Sequence, residues 1–343
     1  MRNSRNAILF FLASLVLLFS FLLNISLGSV SIYPKEILEG LVAGSWLKTS
    51  HAQIILNYRF PKALVAIMAG VGLSLSGLQM QTFFRNPLAG PFVLGISSGA
   101  GLGVALLMLA GSSFGIVALS GGLSAWAIVG AGTLGAVLVM ILVSLVAWRI
   151  QDSMTLLIVG LMFGSAVSAI VSVLSYFSGA DALKLFTVWS MGSLGGLGWS
   201  QVLVLGLVVL MGIAPIVFSV KSYNAMLLGQ NYAKSMGVSS TFLRWMMILS
   251  TGLLAGSITA FCGPIAFIGI AVPHLARIIW KTSDHRVLFP ASALVGAILL
   301  LLCDVVGQLP GSAQMLPINA VTSLIGAPVV IGLVLRRNFS KEF

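Results

Sequence analysis

Long apolar runs separated by short charged turns dominate this chain. They limit it to folds in which lipid takes the place of water. The first run, Ala7–Leu27, carries no charged residue. Comparable runs recur about ten times, each near the roughly 20 residues that a helix needs to cross a bilayer. The sequence of 343 residues is 59% hydrophobic and only 7% charged, with a mean hydropathy of +1.11. Soluble domains carry about 25% charged residues, so a soluble fold is excluded. A spanning backbone must satisfy its own polar groups, and helices do so within one segment. The expectation is an all-α, polytopic membrane protein with about ten transmembrane helices in one domain, residues 1–343.

The remaining spans are expected near Ala63–Phe84, Phe92–Ala110, Ala118–Trp148, Thr155–Phe177, Val202–Val220, Trp245–Phe261, Gly263–Trp280, Val287–Val306 and Leu316–Leu335. The fourth is too long for one straight crossing, so its first part is expected as loop or re-entrant. Ser29–Arg59 is polar-leaning, and Ser178–Trp199 has room for one short helix. Proline and glycine interrupt the apolar pattern at Asn86-Pro87, Gly90-Pro91, Gly263-Pro264 and Pro273. Broken backbone at membrane depth is tolerated only where protein or a wet cavity satisfies it, which suits a transporter, although ordinary kinks are the alternative. Arg2 and Arg5 before the first run resemble a signal peptide. Without a small-x-small cleavage site, the run reads as an uncleaved first span.

The net charge of +11 is explained by topology, and no nucleic acid is implied. An even number of spans puts both termini on one side. With that side in the cytoplasm, Arg2, Arg5, Arg85, Arg149, Lys221, Lys234, Arg244, Arg277, Lys281, Arg286, Arg336, Arg337 and Lys341 lie inside. Only Lys35, Lys48, Arg59, Lys62 and Lys184 lie outside. This bias matches the positive-inside rule and supports a multi-pass protein with both termini in the cytoplasm and membrane lipid around it.

One moderately polar stretch, Lys221–Arg244, interrupts the hydrophobic second half. Leu228, Tyr232 and Met236 recur at i, i+4 and i+8, so on a helix they share a face. Gly229, Ala233 and Gly237 form a parallel row of small residues, and the two glycines suit helix C′ positions. The expectation is two short helices at the cytoplasmic surface, forming a docking site for a partner protein. Elsewhere, Gly95, Gly99 and Gly103 share a face suited to close helix packing. Gly160, Gly164, Ser168 and Ser172 form a hydroxyl-rich row that either lines a wet path or packs.

Bond-making chemistry is poorly supported. Cys262 and Cys303 lack a CxxC pattern, the three histidines lack ligand spacing, and no acid pair is placed for acid–base work. No metal site, catalytic residue or cofactor is expected. GxxxxGK[ST] is absent, so energy for active transport must come from a partner. Asp304 raises the alternative of an ion-coupled secondary transporter. It stands alone in its run near a span end, which favours a structural hydrogen bond to Gln308. A membrane-embedded enzyme is the weakest alternative.

Three segments carry a family resemblance. They are RFPKALVAIMAGVGLSLSGLQMQTFFRNPLAGPFVLGISSGAGLG from Arg59 to Gly103, LLGQNYAKSMGV from Leu227 to Val238, and GPIAFIGIAVPHLARIIWKTSDHRVLFPASALVGAILLLLCD from Gly263 to Asp304. Together they resemble the FecCD-type permeases of ATP-binding-cassette importers for ferric siderophores, haem and cobalamin. The resemblance implies two copies around a central pathway, two cytoplasmic ATPases and an external substrate-binding protein. It assigns Leu228, Gly229, Ala233, Gly237 and Val238 to ATPase coupling. Asn86 and Leu88, and more loosely Ser153 and Met154, fall at the cytoplasmic gate. Arg59 and Lys62 fall where the binding protein docks, and the Gly160–Ser172 row falls on the pathway helix. An iron chelate is the first expectation for the cargo because iron systems are the commonest members, with cobalamin and haem as alternatives. Four positions depart from the pattern: Lys62 for Arg, Gln308 for a third docking Arg, Gly90 for an acid and Asn319 for Gly.

Overall fold

The computed structural model describes residues 2–44, 46–110, 125–149, 153–309 and 314–335. The described residues form helices without a strand. In chain order these are α1 (Arg2–Ser26), α2 (Pro34–Ala43), α3 (Thr49–Ile54), α4 (Phe60–Phe84), α5 (Ile96–Ala105), α6 (Ala125–Arg149), α7 (Ser153–Tyr176) and α8 (Ala180–Ser190). They continue as α9 (Trp199–Leu227), α10 (Gln230–Ser235), α11 (Ser240–Thr251), α12 (Ser257–Cys262), α13 (Ile268–Trp280), α14 (His285–Gly307) and α15 (Ile318–Leu335). Short π turns join α3 to α4 and α11 to α12 without ending the helical run. Seven helical runs among the described residues are long and apolar enough to span a membrane. Three shorter apolar helices, Ile96–Ala110, Ile268–Trp280 and Ile318–Gly332, bring the total near the expected ten.

The bundle is organised around α4, which is buried along most of its length and packs against α14, α9 and α13. Its composition explains the position, because small residues let neighbouring backbones approach and dispersion replaces the hydrophobic drive that lipid removes. A Cβ on Gly70 would lie 2.2 Å from the Gly296 carbonyl oxygen of α14, and one on Gly77 would lie 1.7 Å from the Gly269 oxygen of α13. Gly99 and Gly103 pack in the same way on α6, against the carbonyls of Gly135 and Ala131, so this row is a packing seam.

The break at Gly263-Pro264 is real, but the one expected at Pro273 is not. Residues 263–267 are non-helical, with Gly263 at φ 73° and Phe267 at φ 66°. Asn319, on α15, accepts from the Ala266 N–H through Oδ1 at 3.0 Å. Helix α13 then runs through Pro273. Proline lacks the N–H that would bond the carbonyl four residues back, which is that of Gly269. This is the oxygen facing the Gly77 Cα, so a weak Cα–H···O contact takes up the freed acceptor.

Other boundaries shifted as well. Within Ser29–Arg59, α2 has Pro34 in its first turn and a left-handed Gly44 at its end, whose N–H donates to Gly40 O at 3.1 Å. The short helix expected in Ser178–Trp199 is α8. The early part of the fourth span, 118–124, lies outside the described residues.

Gly77→Ala is expected to force α4 and α13 apart, costing more than the roughly 1–3 kcal/mol of ordinary overpacking. Gly130→Ala, with open space around it, should be tolerated. Thermal unfolding of the two variants in detergent compares them directly.

Candidate functional site

Lys221–Arg244 is built differently from the two surface helices its pattern suggested. Helix α9 continues to Leu227, so Lys221–Leu227 is the end of a long span. One six-residue helix, α10, follows, and α11 begins at Ser240. Gly229 and Gly237 do occupy C′ positions, with φ 115° and 80°. After α10, Gly237 N–H donates to Lys234 O at 2.9 Å and Val238 N–H to Ala233 O at 2.9 Å. That pair of bonds is the Schellman ending. Ala233 is buried and Val238 packs on the core, while Leu228, Tyr232 and Met236 are more than half exposed. An open groove of about 650 Å³ lies beside them, lined by Arg85, Leu228, Gly229, Asn231, Tyr232 and Ser235.

The groove borders the end of α4. Arg85 takes a left-handed conformation, φ 48°, and Asn86 N–H donates to Gln81 O at 3.1 Å. Asn86 Oδ1 accepts from the Leu88 N–H at 2.9 Å, which closes the turn and leaves Leu88 exposed. Arg85 reaches across to Met226 O at 3.4 Å. Beneath it lies a buried polar network that the sequence reading missed. Tyr223 Oη donates to Gln79 Oε1 at 3.0 Å, and Gln79 Nε2 donates to Ser250 and Thr251. Asn224 Oδ1 accepts from the His285 N–H at 2.8 Å and faces His285 Nδ1 at 2.9 Å. Its Nδ2 donates to Asp284 Oδ1 at 2.7 Å, and His285 Nε2 lies 2.7 Å from Thr82 Oγ1. Arg277 Nη1 donates to Gln81 Oε1 at 2.8 Å. The only sequence hint was the density of Asn, Tyr, His and Gln near span ends.

At the opposite end, Arg59 and Lys62 spend their charge inward instead of presenting free cations. Arg59 is buried, and its guanidinium donates to the carbonyls of Ile25 at 2.9 Å, Ser26 at 3.0 Å and Val30. Lys62 Nζ lies 2.9 Å from Asp304 Oδ1. Asp304 Oδ2 accepts from Gln308 Nε2 at 2.8 Å and from Asn24 Nδ2 at 2.9 Å. The bond to Gln308 is as expected, but Asp304 is not alone. Its cationic partner comes from another span, invisible in its own run.

The row on α7 divides. Gly160 is buried and Gly164 half-buried, against Gly95 and Ser98 at the start of α5. Ser168 and Ser172 are exposed, with Ser172 Oγ donating to Ser168 O at 2.9 Å. Ser153 and Met154 are the first two residues of α7.

Two outcomes follow from this geometry. Asp304→Leu alone strands the Lys62 charge and should cost about 3–5 kcal/mol, whereas Asp304→Leu with Lys62→Met should recover most of it. Chemical denaturation in detergent separates the two. Asp284 is held below its usual carboxylate value. Its burial opposes ionisation, but hydrogen bonds from the Arg286 N–H and Asn224, with the Arg286 charge, outweigh that. A depressed folded-state value means that this contribution is present above the unfolded value of about 3.9 and is lost as pH falls below it. Asp284→Asn should therefore flatten the acid limb of a stability–pH curve.

The FecCD transport family model matches residues 16–336. The vitamin B12 import system permease proteins BtuC of Salmonella paratyphi A and Salmonella typhimurium are each 34% identical over 327 residues, 94% of this chain and 93% of theirs. A solved structure described as an inward-facing conformation of a metal-chelate type ABC transporter is 29% identical. It superposes with a TM-score of 0.82 over 95% of this chain and 98% of its own. PsaBC from Streptococcus pneumoniae, 15% identical with a TM-score of 0.54 over 90% of this chain and 98% of its own, shares the fold alone. The chain therefore belongs to the FecCD transport family, as a multi-pass membrane permease of the ABC importer type.

Proposed function

We propose that this permease works in the bacterial inner membrane as a pair of identical copies, with both termini and α10 in the cytoplasm. A cytoplasmic ATPase dimer docks on α10, and an external substrate-binding protein delivers the cargo. The observation that carries this reading is the capped α10 itself. Its buried Ala233 anchors a row of exposed Leu228, Tyr232 and Met236 beside a groove. A short, rigid helix presenting apolar side chains at a polar end of a bundle is suited to a protein partner. Arg5, Arg85 and Arg277 lie at this end through their bonds to Trp280, Met226 and Gln81, in keeping with a cytoplasmic face. Asn86 and Leu88, next to the groove, are placed to gate a pathway that the exposed Ser168–Ser172 part of α7 borders. Residues 221–244 act as the coupling part of one permease domain.

The cargo is a large metal chelate, with a ferric siderophore as the first choice. Cobalamin is the second reading, favoured by the names of the relatives similar in sequence, and haem is a third. No bond in the cargo is broken, and ATP is hydrolysed by the partner. Lys62 and Asp304 neutralise one another, which supports this reading over an ion-coupled carrier. Docking of the binding protein would then use the outer face that Arg59 and Lys62 organise, with their charges partly spent in holding it.

Co-purification with the cognate ATPase tests the assignment. Gly237→Arg, at φ 80° beside Val238, should abolish association or coupled uptake in proteoliposomes. Uptake that survives loss of the ATPase but collapses with the proton gradient would overturn the reading. Uptake of labelled ferric siderophore against labelled cyanocobalamin decides the cargo.

A further inference from the structure

Resting on the reading of α10 as the docking element, we infer that Asn224 and Thr82 are positioning residues. Through His285 they clamp the end of α9 to the end of α4, so that displacement of the docking segment is handed to the turn at Asn86–Leu88. The partners determine the chemistry of the clamp. The His285 N–H can only donate and the Asp284 carboxylate can only accept. Asn224 therefore turns its oxygen to His285 and its amide nitrogen to Asp284. Nδ1 of His285, 2.9 Å from that oxygen, must then carry hydrogen. The other ring nitrogen reaches Thr82 Oγ1 at 2.7 Å.

Thr82 and His285 are 2% and 1% exposed. Thr82 Oγ1 also reaches Leu78 O at 2.9 Å, so parting the pair would leave the buried His285 Nε2 without a partner, which costs more than sliding one apolar surface over another. A shift of the last turn of α9 therefore carries the ring and Thr82 with it. Thr82 stands one helical turn before Asn86. Two flanking bonds hold the same ends, from Tyr223 to Gln79 and from Arg85 to Met226. Arg85 also closes the joint between α9 and α10, where a Cβ on Gly229 would lie 3.3 Å from its Nη2. The joint is thereby stiffened, so motion of α10 passes into α9.

The test uses the full chain assembled with its cognate ATPase. Cys262 and Cys303 are buried, so Leu88→Cys supplies an accessible thiol at the turn. The readout is its labelling rate by an impermeant fluorescent maleimide, with and without ATP and vanadate. Thr82→Val keeps the side-chain shape and removes the hydroxyl, while Asn224→Leu removes the amide. Each should reduce the nucleotide-dependent change in labelling about fivefold or more, with assembly and ATP hydrolysis retained. Thr82→Ser should restore most of the response. The double variant should lose no more than the larger single loss, because both cut one clamp. If Asn224→Leu fails to accumulate, the Thr82 pair carries the test. Wild-type responses in both variants, or losses that multiply, overturn the inference. Failure of the unsubstituted chain to bind the ATPase overturns the functional reading beneath it, which distinguishes the two failures.

Discussion

Any backbone group that a proline or a turn releases inside this bundle must find another protein group, because lipid offers none. Much of the architecture depends on meeting that demand. Pro273 frees the Gly269 carbonyl, and Gly77 of α4 closes on it. The non-helical residues 263–267 expose the Ala266 N–H, and Asn319 of α15 accepts from it. The end of α1 leaves the Ile25 carbonyl open, and Arg59 from the next span donates to it and to Ser26 O, which also accepts from the Ile32 N–H. In each case the repair comes from a different helix. The repairs therefore double as the contacts that set how the helices are arranged around α4.

The same demand separates the two ends of the bundle. At the Arg59–Lys62 end two cations turn into the chain, Lys62 onto Asp304 and Arg59 onto backbone carbonyls. At the other end the buried polar groups link α4, α9 and α14 to one another, and the outermost apolar residues of α9 and α10 have nothing over them. Under the proposed docking of a partner ATPase on α10, such a connection would matter, because force applied to a loose segment is dissipated before it reaches a gate.

Much of this was legible in the residues. Hydropathy located most of the spans, since a lipid environment demands long apolar helices. Glycine spacing located the ends of α9 and α10, because a left-handed turn favours glycine. The polar stretch from Lys221 to Asn224 misled for a physical reason. Its residues resemble a loop in one dimension, yet Tyr223 and Asn224 face a buried network supplied by α4, α11 and α14. Asp304 misled in the same way, as its cation lies far away in sequence on α4.

The sequence by itself determined that this chain is a helical membrane bundle and which family motifs it carries. These properties are local, set by runs and spacings along one strand of residues. Tertiary structure alone decided that Arg59 and Lys62 turn inward, that α13 passes unbroken through Pro273, and that Thr82, His285 and Asn224 meet. Each of these depends on a hydrogen bond, ion pair or backbone approach between helices distant in the chain, and local periodicity carries no information about such partners.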